Sequence, residues 1–132
     1  MSQSIEIVLD YPQGLSVNGA RRSTIASRTG HEAEDRERAK LLAAPYAGLQ
    51  ETLELAASDC DIELQISLSA PDLRRRDLTN AGFVLKPQLD GICDSLKIDD
   101  SRFNPVITRR GSAGLRGPSH LPGAVVVKLS WD

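Results

Sequence analysis

The chain has 132 residues, a length that favours one domain with a modest core. Its composition, 40% apolar and 26% charged, is that of an ordinary globular protein. No stretch has the roughly 20 apolar residues that a membrane span needs, so we expect no membrane partner. The net charge of −2 argues against a general nucleic-acid coat protein, and the 4% aromatic content argues against base stacking as the main source of binding energy.

The first half of the chain predicts a strand, a loop, a helix and a second strand. Apolar and polar residues alternate in SIEIVLD, near the start, which indicates a half-buried strand. The loop that follows is rich in Pro, Gly and Asn and ends on Arg21 and Arg22. Thr29 and Glu32 fit a capping box, so we expect a helix that begins at Thr29 and that Pro45 kinks or ends. The clearest strand in the chain is DIELQISLS, before Pro71.

The second half predicts one helix and two strands. Apolar residues at helical spacing form a stripe from Leu85 to Leu96, and Pro87 fits only a first turn, so we expect this helix to begin near Lys86. A short strand, VITRR, a Gly/Pro-rich loop and a last strand, AVVVKLSW, complete the chain. The order predicts one α/β (α+β) domain over residues 1–132, with a small mixed sheet packed by helices on one face.

The charges are unevenly distributed along the chain. From Ser101 to Trp131 there is no acid, and the cations there are Arg102, Arg109, Arg110, Arg116 and Lys128. Such a segment on a mildly acidic protein indicates one positive face that can bind phosphates, and Arg109 and Arg110 are the best candidates in it. Scattered arginines on a solvated surface are the alternative. Cys60 and Cys93 have no metal-ligand spacing and are expected to be reduced thiols of a cytoplasmic protein.

Carboxylates and one lysine gather between Asp77 and Asp100. Asp77 follows a predicted strand, Lys86 and Asp90 lie one helical turn apart, and Asp99 and Asp100 occupy the turn after that helix. If the chain brings Asp77 and Asp100 together, the hard oxygen ligands suit Mg²⁺ or Mn²⁺, which acts on phosphate esters. The alternative is that these residues do not converge. Asp99 and Asp100 then form a solvated turn, and Lys86 and Asp90 form an ordinary helix pair.

These residues resemble the RusA-type Holliday-junction resolvases, small nucleases frequent in phages and prophages. The resemblance is carried by RRRDLTN, LKPQLDGI and IDDSRF, and more weakly by Ser16 and Asn18 near the start and by LPGAVVVKLSW at the end. The positions that match the central signature are Arg74, Arg75, Arg76, Asp77, Asn80, Lys86, Asp90, Asp99 and Asp100.

The resemblance implies a homodimer that cuts four-way DNA junctions with Mg²⁺, for which Mn²⁺ is the alternative, in a bacterial or phage-infected cytoplasm. It implies that Asp77 and Asp100 bind the metal with Asp99 as their neighbour, and that Lys86 stabilises the transition state. The arginine run and Asn80 would contact DNA. Arg21 and Arg22, at the end of the first loop, are further candidates for DNA contacts, with a solvated loop as the alternative.

Thr79 departs from the family pattern, because the family has a second aspartate there. Two explanations follow from this departure. Asp90, on the same helix face as Lys86, replaces the missing carboxylate as a metal ligand, or the protein binds junctions with little cleavage. A third hypothesis, motivated by the negative net charge, is an interaction module without a nucleic-acid role.

Overall fold

The described part of the chain covers residues 3–12, 25–71 and 81–132, without the side chains of residues 25–31. In this computed structural model the strands are β1 (Gln3–Asp10), β2 (Ile62–Ser69), β3 (Phe103–Arg110) and β4 (Ala124–Trp131). The helices are α1 (Ile25–Ala47), α2 (Gln50–Ala57), α3 (Ala81–Val84) and α4 (Lys86–Leu96), and a 3₁₀ turn spans Asp100–Arg102.

The four strands form one mixed sheet in the order β1-β4-β2-β3. Strand β4 is antiparallel to both β1 and β2, while β3 is parallel to β2. The strand register aligns the apolar residues of three strands in rows across the sheet, which is why their alternation in the sequence produces one buried face. The rows are Ile5–Leu129–Leu64, Ile7–Val127–Ile66 and Leu9–Val125–Leu68, all buried.

Helix α4 supplies the other side of the core. Its predicted stripe of Leu85, Leu89, Ile92 and Leu96 is buried, and Pro87 lies in its first turn as expected. The helix makes the crossover between the parallel strands β2 and β3, so its first residue follows the segment that leaves the end of β2. The prediction of one compact domain with a small mixed sheet packed by helices is confirmed.

Two boundaries differ from the prediction. Helix α1 begins at Ile25 rather than at Thr29, and it contains Pro45 and ends two residues later at Ala47. Residues 25–28 include no Gly or Pro, and a Thr inside a helix costs less than about 1 kcal/mol. A capping pattern at Thr29 therefore does not require the helix to begin there. Strand β3 begins at Phe103, three residues before the predicted strand, and tolerates Pro105 because it is an edge strand.

The cations of the acid-free segment do not share one face. Arg102 is half-buried and donates to the carbonyl oxygens of Leu55 and Cys60, at 2.8 Å and 3.0 Å, which ties the end of α2 to the turn before β3. Arg109 pairs in register with Ser67 and lies on the sheet face opposite the helices, whereas Arg110 pairs with buried Leu68 on the helix side. The expected single positive face is therefore divided between two sides of the sheet.

No helix within the described ranges is long and apolar enough to cross a membrane.

Candidate active site

The amine of Lys86 joins two carboxylates that are ten residues apart in the sequence. Lys86 is the first residue of α4, and its Nζ donates to Oδ1 of Asp90, one turn later, at 2.8 Å. The same Nζ donates to Oδ2 of Asp100, at the start of the 3₁₀ turn. The predicted Lys86–Asp90 pair is thus present, and Asp100, whose position the sequence left open, completes a three-residue cluster.

Asp100 reaches Lys86 because α4 ends in a tight reversal. Lys97 adopts the left-handed conformation with φ 58°, and the N–H groups of Lys97 and Ile98 both donate to the carbonyl oxygen of Cys93. Ile98 is buried and fixes the returning chain against the core. Asp99 then accepts a hydrogen bond from the backbone N–H of Ser101 at 2.9 Å and so caps the 3₁₀ turn.

The cluster keeps its lysine charged and open to solvent. Hydrogen bonds to Asp100 and then to Asp90 raise the pKa of Lys86 above its ordinary value, so its side chain remains an ammonium at neutral pH. The exposed fractions of the side chains are 53% for Lys86, 29% for Asp90 and 48% for Asp100. Lys86 is therefore a fixed positive charge that a phosphate can reach, and it cannot serve as a general base.

Cys93 is buried close to this cluster, and its thiol is unreactive. Its side chain is buried, and burial followed by the nearby charges of Asp100 and Asp90 raises the pKa of the thiol to about 12. A thiol with that pKa is protonated at neutral pH and is not a nucleophile. Within the described part of the chain both cysteines are free, as expected.

Asp94 shares the helix face of Asp90 in the sequence but belongs to a different contact. The guanidinium of Arg36 donates to both of its carboxylate oxygens, at 2.8 Å and 3.1 Å, and this bond holds the pKa of Asp94 below its usual range. The pair links α4 to α1 across their contact and takes Asp94 out of the cluster. Sequence reasoning missed Arg36 as its partner, since the two residues are 58 positions apart.

Several predicted site residues lie outside the described residues. These are Asp77, Thr79, Asn80, Arg21, Arg22 and the arginine run Arg74, Arg75 and Arg76. The segment 72–80 that carries most of them connects the end of β2 to α3, and Lys86 follows soon after. The C-terminal ends of β2 and β3 lie side by side at one end of the sheet, where Gly111 donates to the carbonyl oxygen of Leu68 at 2.8 Å. Arg109 and Arg110, both exposed, are the last residues of β3 and lie at that same end.

The described cluster contains one exposed carboxylate of the kind that binds Mg²⁺, that of Asp100. Among the described residues, no group of three or more His, Cys, Asp or Glu is arranged to hold a metal ion. Mg²⁺ in proteins often has only one or two carboxylate ligands and completes its octahedral shell with water and phosphate oxygens. Asp100 is a half-exposed carboxylate and so fits that donor set in kind, although its contact in this structure is the Lys86 ammonium, and Asp77 would have to supply the second carboxylate.

Comparison of the chain with protein-family models gave no match, and no curated protein is significantly similar to it.

Proposed function

We propose that the protein is a metal-dependent endonuclease that hydrolyses phosphodiester bonds in branched DNA, with the four-way junction as its substrate. The observation that carries this proposal is the contact between Lys86 and Asp100, two residues 14 positions apart to which the resemblance assigns one reaction. Their convergence supports the proposal because a shared catalytic role needs both groups within reach of one phosphate.

The reaction is the attack of water on phosphorus, which forms a new P–O bond and breaks the bond to the 3′ oxygen. When bound, Mg²⁺ supplies charge neutralisation at the phosphate and a more acidic water. Asp100, together with Asp77, would hold the ion. The Lys86 ammonium would stabilise the negative charge that grows on the phosphate oxygens in the transition state.

The remaining parts of the proposal concern DNA and assembly. The run Arg74–Arg76 would bind flanking phosphates next to the metal ligand Asp77, where the cation offsets repulsion between carboxylate and phosphate. A homodimer would present two such sites to a junction that itself has two-fold symmetry. The cytoplasm of a bacterial or phage-infected cell is where such a substrate occurs.

The decisive experiment is a cleavage assay on a synthetic four-way junction with Mg²⁺, with Mn²⁺ and with EDTA. We expect nicks in both metals and none in EDTA. A retarded junction without product in either metal would instead favour a junction-binding protein, the function that Thr79 suggests. A protein with no junction affinity at low salt would contradict both.

Neutralising the arginine run should flatten the salt dependence of junction binding. Each phosphate contact that is lost lowers the slope of log K against log salt by about 0.9 on duplex DNA, so replacement of Arg74, Arg75 and Arg76 by Gln should lower it by up to about 2.7. Fluorescence anisotropy with a labelled junction at several salt concentrations measures this slope.

Arg36→Gln is the matched control for that experiment. It removes one positive charge where the triple substitution removes three, and Arg36 is already bound to Asp94. Its slope should equal that of the wild type, and a loss of slope per charge equal to that of the triple variant would show that only net charge matters.

A further inference from the structure

The two carboxylates on Lys86 are held in different ways. Asp90 is fixed by the helix alone, because residues one turn apart on α4 face each other, and it is the less exposed of the two. Asp100 depends on the reversal after Leu96 and is half exposed. A ligand that arrives from solvent therefore meets Asp100 more readily, whereas Asp90 stays beside the lysine stem.

A divalent cation and an ammonium repel each other if they share one carboxylate. Lys86 and a metal bound to Asp100 can remain close only if another negative charge stays on the lysine. Asp90 meets that need, since its Oδ1 lies 2.8 Å from Nζ. An acidic residue at this position can therefore serve the site without touching the metal.

We propose that Asp90 is a positioning residue: it holds the Lys86 ammonium beside Asp100 and is not itself a metal ligand. This inference rests on the proposed function, and it decides between the two roles that Thr79 leaves open for Asp90. Without Asp90, the flexible lysine side chain either binds Asp100 alone, in competition with the metal, or turns into solvent.

A double-mutant cycle separates the two roles. Asp90→Asn should lower the junction cleavage rate roughly tenfold or more, as loss of an orienting partner does. In a Lys86→Met background, however, Asp90→Asn should cause no further loss, because there is no ammonium left to position. Asp90→Glu, which can still reach Lys86, should recover part of the activity.

Calorimetric measurement of Mn²⁺ binding to the same proteins tests directly whether Asp90 is a metal ligand. If Asp90 is a ligand, Asp90→Asn will weaken Mn²⁺ binding in the Lys86→Met background by roughly tenfold or more. If Asp90 only positions Lys86, Mn²⁺ affinity in that background will fall by much less than tenfold, because a nearby charge is lost but no ligand.

The contact itself can be tested without catalysis. The chain has four lysines, and we expect the ammonium that is bonded to two carboxylates to exchange its protons with water more slowly than a solvated one and so to give a signal in a ¹H–¹⁵N correlation spectrum. One such signal should be present in the wild type, absent in Lys86→Met and strongly weakened in Asp90→Asn, with Asp94→Asn as the unaffected control. A signal that persists unchanged in Asp90→Asn overturns the proposal, whether or not the wild type cleaves DNA. A wild type that cuts no junction refutes the proposed function and leaves this spectrum to decide the contact.

Discussion

Asp100→Asn should reduce cleavage of a four-way junction by at least about a hundredfold and leave junction binding intact. The substitution keeps an oxygen that can accept from Lys86 but removes the charge that a metal ligand needs. Losses of this size are typical when one electrostatic contact to a reacting group is removed. Binding should persist, and even strengthen slightly, because one negative charge near the phosphates is gone. Single-turnover cleavage and gel retardation on the same junction measure the two properties.

Asp94→Asn is the control for this prediction, because Asp94 is an exposed aspartate on the helix that carries Lys86, yet it contacts Arg36 instead of Lys86. Its ion pair is exposed to solvent, and exposed ion pairs contribute little to stability. Cleavage by this variant should therefore stay close to that of the wild type. The site assignment is wrong if Asp100→Asn cuts at the wild-type rate, or if both variants lose activity equally.

The alternation of apolar residues was sufficient to predict strands β1 and β2. In both strands buried side chains recur at every second position, so the sequence carries the period of the structure directly. The stripe of α4 was predictable for the same reason, since one face of that helix is buried along its whole length. Burial of one face produces a periodic pattern of apolar residues within the element itself, so these elements can be predicted without knowledge of distant contacts.

Strand β3 was predicted only in part, because it has no such alternation of buried and exposed residues. It lies at the edge of the sheet and its side chains are largely exposed, so selection for burial leaves no alternation to read. Only the part after Pro105 was predicted as strand. Its pairing with β2 comes from the crossover through α4, which is a tertiary feature that no window of residues contains.

The contacts of the candidate site were likewise predicted only where they depend on local helical spacing. The Lys86–Asp90 pair followed from helical spacing, and it is present. The approach of Asp100 was not predictable, because it depends on a left-handed Lys97, where glycine is the usual residue, and on burial of Ile98. Asp94 has the same spacing from Asp90 that Asp90 has from Lys86, yet a partner 58 residues away determines its contact.

Gly91→Ala should destabilise the fold by about 2 kcal/mol, because the backbone of α1 packs directly against Gly91 of α4 and leaves no room for a Cβ atom. A Cβ atom there would overlap the carbonyl oxygen of Arg36 and would lie 3.0 Å from the backbone nitrogen of Lys40. Backbone atoms cannot turn aside as a side chain can, so the helices must separate. Overpacking of this kind costs about 1–3 kcal/mol, more than the gain of up to about 1 kcal/mol from the better helix propensity of alanine. Thermal unfolding should show a loss of about 5–10 °C in Tm.

Gly82→Ala is the matched control, since Gly82 is also helical but a Cβ atom there meets no atom of the described residues within 4 Å. The same propensity gain is then unopposed, and Tm should stay unchanged or rise slightly. Gly91→Val, with a larger and branched side chain, should lower Tm further than Gly91→Ala. Because α4 also carries Lys86 and Asp90, its displacement should reduce cleavage at temperatures where the variant is still folded. Equal Tm values for Gly91→Ala and Gly82→Ala would mean that α1 and α4 are not in backbone contact at Gly91.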